Sequence, residues 1–131
     1  GGTATIICGS HWVARIIERG EDKTGLGRWS YVGLQGNRDT KILDVTYYRV
    51  CKLTRELAGE KTAFRQQYTL LRERFPHLDI DPRRQSVLDF QLFLSRKIAE
   101  GYYVILNMDG NENHSNVRGR NRIDGIFISH N

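Results

Sequence analysis

Cysteine is scarce in this sequence, and the scarcity narrows the chemistry at once. Only Cys8 and Cys51 occur in 131 residues. Two thiols so far apart make no disulfide framework. Each lies in an apolar, strand-like context, so both read as reduced core thiols of an intracellular protein. Neither cysteine, nor a second histidine, stands at zinc-ligand spacing from His114 or His130, which leaves those two as surface residues. No apolar run approaches the ~20 residues that span a bilayer. No basic segment followed by an apolar one opens the chain, as a secretory signal would. Without such a signal, the glycosylation-like triplet Asn113-His114-Ser115 reads as accidental. The chain opens Gly-Gly rather than Met, as a processed or excised piece does. It has no glycine-rich phosphate loop, no Gly-x-Ser-x-Gly elbow, no internal repeat and no low-complexity tract.

What is present suits one domain spanning residues 1–131. Hydrophobic residues make up 39%, enough for a packed core. The net charge is +5, with arginines gathered in stretches such as "RGRNR" (118–122). A basic surface favours anionic partners, nucleic acid first, and is equally the surface of an ordinary soluble protein.

Hydrophobic patterning gives four strands, two helices and two more strands. "TATIIC" (3–8), "HWVARIIER" (11–19), "RWSYVGL" (28–34) and "TKILDVTYYRV" (40–50) read as strands. "EDKTGLG" and "QGNRD" break them as turns. Phe64, Tyr68, Leu71 and Phe75 recur at helical spacing, and Pro76 ends that helix. Asp81-Pro82 restarts one, with Asp as N-cap and Pro as first helical residue. Val87, Phe90, Leu94 and Ile98 form its apolar stripe, and Gly101 stops it. "YYVILNM" (102–108) and "RIDGIFIS" (122–129) read as the last strands, and 52–60 as the most flexible loop. Helices packed over a sheet make this an α/β (α+β) layered domain.

The chemistry-bearing residues collect near the C-terminal half. Asp109 sits where the strand 102–108 ends, the usual place for a site in such sheets. A carboxylate there binds a hard cation such as Mg²⁺ or takes a proton from water. Asn111, two residues on, offers a neutral amide to a phosphate oxygen. An ordinary polar turn closed by an Asx hydrogen bond produces the same pattern. Asp124, alone in an apolar strand, is costly to bury unless paired or at work; at a sheet edge it faces solvent instead. Arg118, Arg120 and Arg122 alternate, so on an extended segment they share one side and suit a phosphate backbone, or simply a solvated loop. Tyr47 and Tyr48 end the long strand ahead of Arg49, where a core aromatic pair is the ordinary explanation.

With these residues placed, the chain resembles the endonuclease/exonuclease/phosphatase (DNase-I-like) superfamily, in the version associated with eukaryotic retroelements and their reverse transcriptases. The residues that carry the resemblance are "GGTATIICGSHWVARIIERGEDKTGLGRWSYVGL", "TYYRVCK", "KTAFRQQYTLLRE", "DPRRQSVLDFQLFL", "EGYYVILNMDGNEN" and "RGRNRIDGIFIS", in that order over nearly the whole chain. It implies two packed β-sheets flanked by helices, here incomplete with about six strands and two long helices. It also implies phosphodiester hydrolysis with Mg²⁺ or Mn²⁺, nucleic acid as partner (DNA ahead of RNA), no membrane, and a location in the nucleus or cytoplasm. The rest of a retroelement polyprotein is a further partner in this reading.

Carried onto this chain, the resemblance makes Asp109 the aspartate that orients or deprotonates the attacking water and a metal ligand, with Glu112 as a second metal candidate. It makes Asn111 the residue that holds the scissile phosphate, and Tyr48 a residue lining the phosphate site. Asp124 becomes the partner of a histidine. Arg49, Arg118, Arg120 and Arg122 become phosphate or nucleic-acid contacts. The family's N-terminal asparagine and metal-binding glutamate, and its closing Ser-Asp-His, have no counterpart in the chain. The connection after "NENHS" is short, and Gly110 and Gly125 stand where bulkier residues are usual. The resemblance therefore implies a central fragment, weak or inactive as an enzyme, with a non-catalytic basic nucleic-acid-binding remnant as the alternative.

Overall fold

A computed structural model of the chain describes residues 2–111 and the strand at 125–128. Among them, one turn of helix α1 (Ser10–Val13) precedes strands β1 (Ile16–Glu21), β2 (Trp29–Gln35) and β3 (Lys41–Tyr48). Helices α2 (Ala63–Arg74) and α3 (Pro82–Ala99) follow, then β4 (Tyr102–Asp109) and β5 (Gly125–Ile128). The strands form one mixed sheet in the order β1-β2-β3-β4-β5. All neighbours run antiparallel except β3 and β4, which pair in parallel from Lys41↔Tyr102 to Tyr48↔Asp109. A parallel pair needs a crossover, and α2 and α3 supply it. The fold is therefore a mixed α/β layer. The described residues hold one sheet; the second sheet that the resemblance implies is not among them.

Side chains alternate between the two faces of the sheet. Trp29, Leu43, Val45, Tyr47, Tyr102 and Val104 point to one face, where Phe90 of α3 joins them in the main core. Tyr47 and Phe90 stack with centroids 4.1 Å apart, and the Tyr47 hydroxyl shares a 2.9 Å hydrogen bond with Ser86. A second cluster of Val50, Phe64 and Tyr68 seats α2 against the segment that leaves β3. Thr62 caps α2 and Asp81 caps α3, each side chain accepting a backbone amide.

Several expectations need correction. Residues 3–8 are extended but belong to no strand. They lie across the sheet's second face, where Thr5 shares 3.2 Å hydrogen bonds with the hydroxyls of Ser30 and Thr46. A segment lying on a face cannot join the backbone ladder of an edge. The expected strand 11–19 begins as a helical turn, because Gly9, at φ 90°, turns the chain so that Trp12 and Val13 donate to its carbonyl. Cys8 is exposed and Cys51 half-buried, so neither is a core thiol. Phe75 is the C-cap of α2 and exposed, and Val87 and Ile98 of the expected α3 stripe are exposed as well. The face that α3 buries runs instead through Arg83, Ser86, Phe90 and Lys97. Charged ends on a buried stripe hide it from any reading based on apolar spacing.

The β1–β2 turn is fixed by a buried ion cluster. Arg28 is only 1% exposed. Its Nε donates to Asp22 Oδ2 at 2.6 Å and its Nη2 to Asp22 Oδ1 at 3.2 Å, while Nη1 reaches Asp89 Oδ2 on α3 at 2.8 Å. Burial pushes the Asp22 carboxyl up, but hydrogen bonds from Arg28 and Thr24 outweigh it and hold the carboxyl below its ordinary value of 3.8. A depressed carboxyl contributes stability that is present above its unfolded value and lost as pH falls through its folded one. Asp22→Asn removes one of the two carboxylates that pair with a buried guanidinium and should cost about 3 kcal/mol in urea unfolding at pH 7. The gap to wild type should narrow once pH falls below the folded pKa of Asp22; a gap constant with pH would show that the ion pair contributes nothing.

Candidate functional site

The parallel register brings the exits of β3 and β4 side by side. Tyr48 and Asp109 are register partners on the last rung. The Arg49 amide then donates to the Asp109 carbonyl at 2.9 Å, prolonging the ladder one step past both strands. Asn111 closes the corner in the left-handed region at φ 46°, which asparagine tolerates better than most residues. Its amide donates to Asp109 Oδ1 at 3.1 Å, the Asx turn that the sequence leaves open as an ordinary explanation. Its Nδ2 donates to the Arg49 carbonyl at 2.6 Å, and its Oδ1 accepts from the Cys51 thiol at 3.3 Å. The carboxamide thus ties the β4 exit to the β3 exit, a positioning task that the sequence did not disclose.

Of the sequence-expected residues, the structure brings together Tyr48, Arg49, Asp109 and Asn111. Tyr48 is half-buried and packs against the Val50 cluster, so part of its ring serves the core. Glu112, Arg118, Arg120, Arg122 and Asp124, with His114, lie outside the described residues, as does His130. Two residues that sequence reasoning passed over also reach this corner. Arg83, in the first turn of α3 and nearly buried, donates from Nη1 to the Val50 carbonyl and from Nη2 to that of Asn111 at 3.5 Å. Cys51 holds the Asn111 amide oxygen. Arginine on the inner side of a helix N-terminus gives no periodic signal, which is why it escaped notice.

The sheet face that carries Asp109 mixes polar and apolar side chains: Asp44, Thr46 and Asn107 sit there with Val32, Leu34 and Ile105. Asp44, opposite the helices, accepts from Asn107 Nδ2 at 2.8 Å. Burial pushes the Asp44 carboxyl up, and the Asn107 bond offsets this only in part. Asp44 interrupts the apolar stretch of β3, and Asn107, its partner, lies sixty-three residues on. As for a metal, no group of three or more histidine, cysteine, aspartate or glutamate side chains suited to one occurs among the described residues. Asp109 brings one carboxylate, half engaged in its turn. The described residues do not by themselves make a divalent-metal site.

A scan against protein-family models finds no match to this chain, and searches of curated proteins and of solved structures find none either. Among the described residues no helix is long and apolar enough to cross a membrane.

Two predictions follow from this geometry. Asn111→Ala loses both carboxamide bonds and keeps a positive φ that alanine resists, for a cost of about 2 kcal/mol; Asn111→Gly loses the bonds but relaxes the backbone, for about 1 kcal/mol. Equal losses in chemical denaturation would remove the backbone argument. For Asp44, a raised carboxyl makes the folded state the tighter proton binder, so its burial cost is present above the folded pKa and fades toward acid. Asp44→Asn should therefore stabilise by about 1 kcal/mol at pH 7, a gain that disappears near pH 4 in thermal melts; a loss at pH 7 would mean that the charge itself is needed.

Proposed function

We propose that this chain is, by descent, a DNase-I-like phosphodiesterase domain acting on nucleic acid, and a weak catalyst by itself. The observation that supports it best is the Tyr48–Asp109 pair on the last rung of β3 and β4, with Arg49 beside it. In this reading Asp109 Oδ2 orients or deprotonates the water that attacks a phosphodiester. Tyr48 and Arg49 face the phosphate, with the guanidinium matching developing negative charge. Asn111 acts chiefly as a positioning residue, because its carboxamide already bridges Arg49 and Cys51. Mg²⁺ or Mn²⁺ would supply further charge stabilisation, through ligands beyond the one carboxylate described. Each charge-stabilising group that a phosphodiesterase site goes without commonly costs a few kcal/mol, or about a hundredfold or more in rate, and with one carboxylate among the described residues of this corner activity should be low.

The second reading, a non-catalytic nucleic-acid-binding remnant, is favoured by the occupied carboxamide of Asn111 and by the basic surface beside it. A plasmid-nicking assay with Mg²⁺ separates the two. Slow nicking by the wild-type chain should be abolished by EDTA and reduced about a hundredfold or more by Asp109→Ala. Nicking that does not differ between wild type and Asp109→Ala would sink the catalytic reading.

A further inference from the structure

A cleft of about 420 Å³ opens beside the Tyr48–Asp109 corner, between the first turns of α3 and the segment leaving β3. Its volume lies within the roughly 300–1,000 Å³ of small-ligand sites. Arg49 and Lys52 line it from the β3 exit, Arg83 and Arg84 from α3. Among the described residues Asp81 is the only carboxylate in its walls, and that side chain is spent on capping the Arg83 amide at 2.9 Å. Recognition here falls to cationic side chains, since the cap already covers the helix end. Four like charges drawn around one cleft repel one another, a cost that a bound anion relieves. The rest of the lining is apolar, from Leu53, Val87 and Leu88. Leu88 is half exposed, at a place where a polar residue would cost nothing.

We infer that this cleft holds one nucleotide unit of a single-stranded nucleic acid. Its phosphate lies among Arg49, Lys52 and Arg84, and its sugar and base lie over the apolar floor. A duplex presents its phosphates but keeps its bases stacked, so it has no use for the floor. Arg83 belongs to both places: it lines the cleft and also donates to the carbonyl of Asn111. A strand seated in the cleft therefore passes the Tyr48–Asp109 corner. The inference rests on the nucleic-acid half of the reading above and not on catalysis.

The test is fluorescence anisotropy of a labelled single-stranded oligothymidylate with the full chain in EDTA, where no strand is cut. Lys52 and Arg84 are exposed, so Lys52→Glu/Arg84→Glu should fold, with Lys52→Gln/Arg84→Gln as a milder second pair. The charge-matched control is Arg19→Glu/Lys23→Glu on the β1 side of the sheet. The cleft pair should weaken binding by about tenfold or more and flatten the salt dependence by about one phosphate equivalent, while the control changes affinity by less than about threefold. Equal losses in the two pairs, or none in the cleft pair, would overturn the site. A duplex of equal length that binds as tightly would overturn the single-strand assignment. A chain that nicks DNA without sensitivity at Lys52 and Arg84 keeps the catalytic corner and loses the cleft; one that binds through the cleft without nicking does the reverse.

Discussion

The parallel pairing of β3 with β4 over its full eight rungs is the constraint on which the rest of this molecule turns. Antiparallel neighbours need only a hairpin, and β1–β2 and β2–β3 are joined in that way. A parallel neighbour obliges the chain to travel back along the sheet, and residues 49–101 do so through α2 and α3. That return packs Phe90 on Tyr47 and brings the first turn of α3 to the strand exits. The same pairing puts Tyr48 level with Asp109. The candidate site and the basic cleft are thus two results of one topological requirement.

Charge is used sparingly to fix the edges of this arrangement. Arg28 is fully buried and holds two carboxylates, one in the β1–β2 turn and one on α3. Lys97, near the other end of α3, pairs with Glu18 of β1 and with Glu100. Gly33 explains part of this approach: a Cβ there would come within 2.7 Å of Glu18 and 2.8 Å of the Tyr102 hydroxyl. Burial and the neighbouring Glu18 carboxylate push that tyrosine up to about 12, so it stays a neutral donor. These pairs fix where the helix lies on the sheet more than how strongly it adheres, since buried ion pairs recover little beyond their desolvation cost.

Much of the fold was legible in the sequence because its signals are local. The two helices announce themselves through Thr62, Pro76, Asp81 and Pro82, and β2, β3 and β4 through branched and aromatic runs. The failures share a cause. Residues 3–8 have a strand's composition, but a strand is defined by backbone partners, which composition does not specify. The buried face of α3 was misjudged because Arg83 and Lys97 reach polar partners from inside. At the site, Asp109 and Asn111 were legible from their place at a strand end. The Asn111 bonds to Arg49 and Cys51 were not, since they span about sixty residues of sequence.

The register also decides what Asp109 faces. Along β4 the side chains alternate, with Val104, Leu106 and Met108 directed into the core beneath Phe90 and Asn107 paired with Asp44 on the other face. Asp109 falls on that second face. Around it, hydrogen-bonded hydroxyls and amides (Thr5, Ser30, Thr46, Asn107) share the face with the apolar side chains of Val32, Leu34 and Ile105. A slip of one residue in the β3–β4 ladder would turn the carboxylate toward Tyr47 and the core, where its desolvation would have no answer, and would bring Met108 out in its place. The polar residues of the second face weaken the sheet's burial, as the upward push on Asp44 records. Within β4, Asn107 and Asp109 are the polar residues that such a slip would carry into the core, and both oppose it. The Asn107–Asp44 bond and the Asp109 carboxylate therefore hold the register that keeps Asp109 next to Tyr48 at the strand ends.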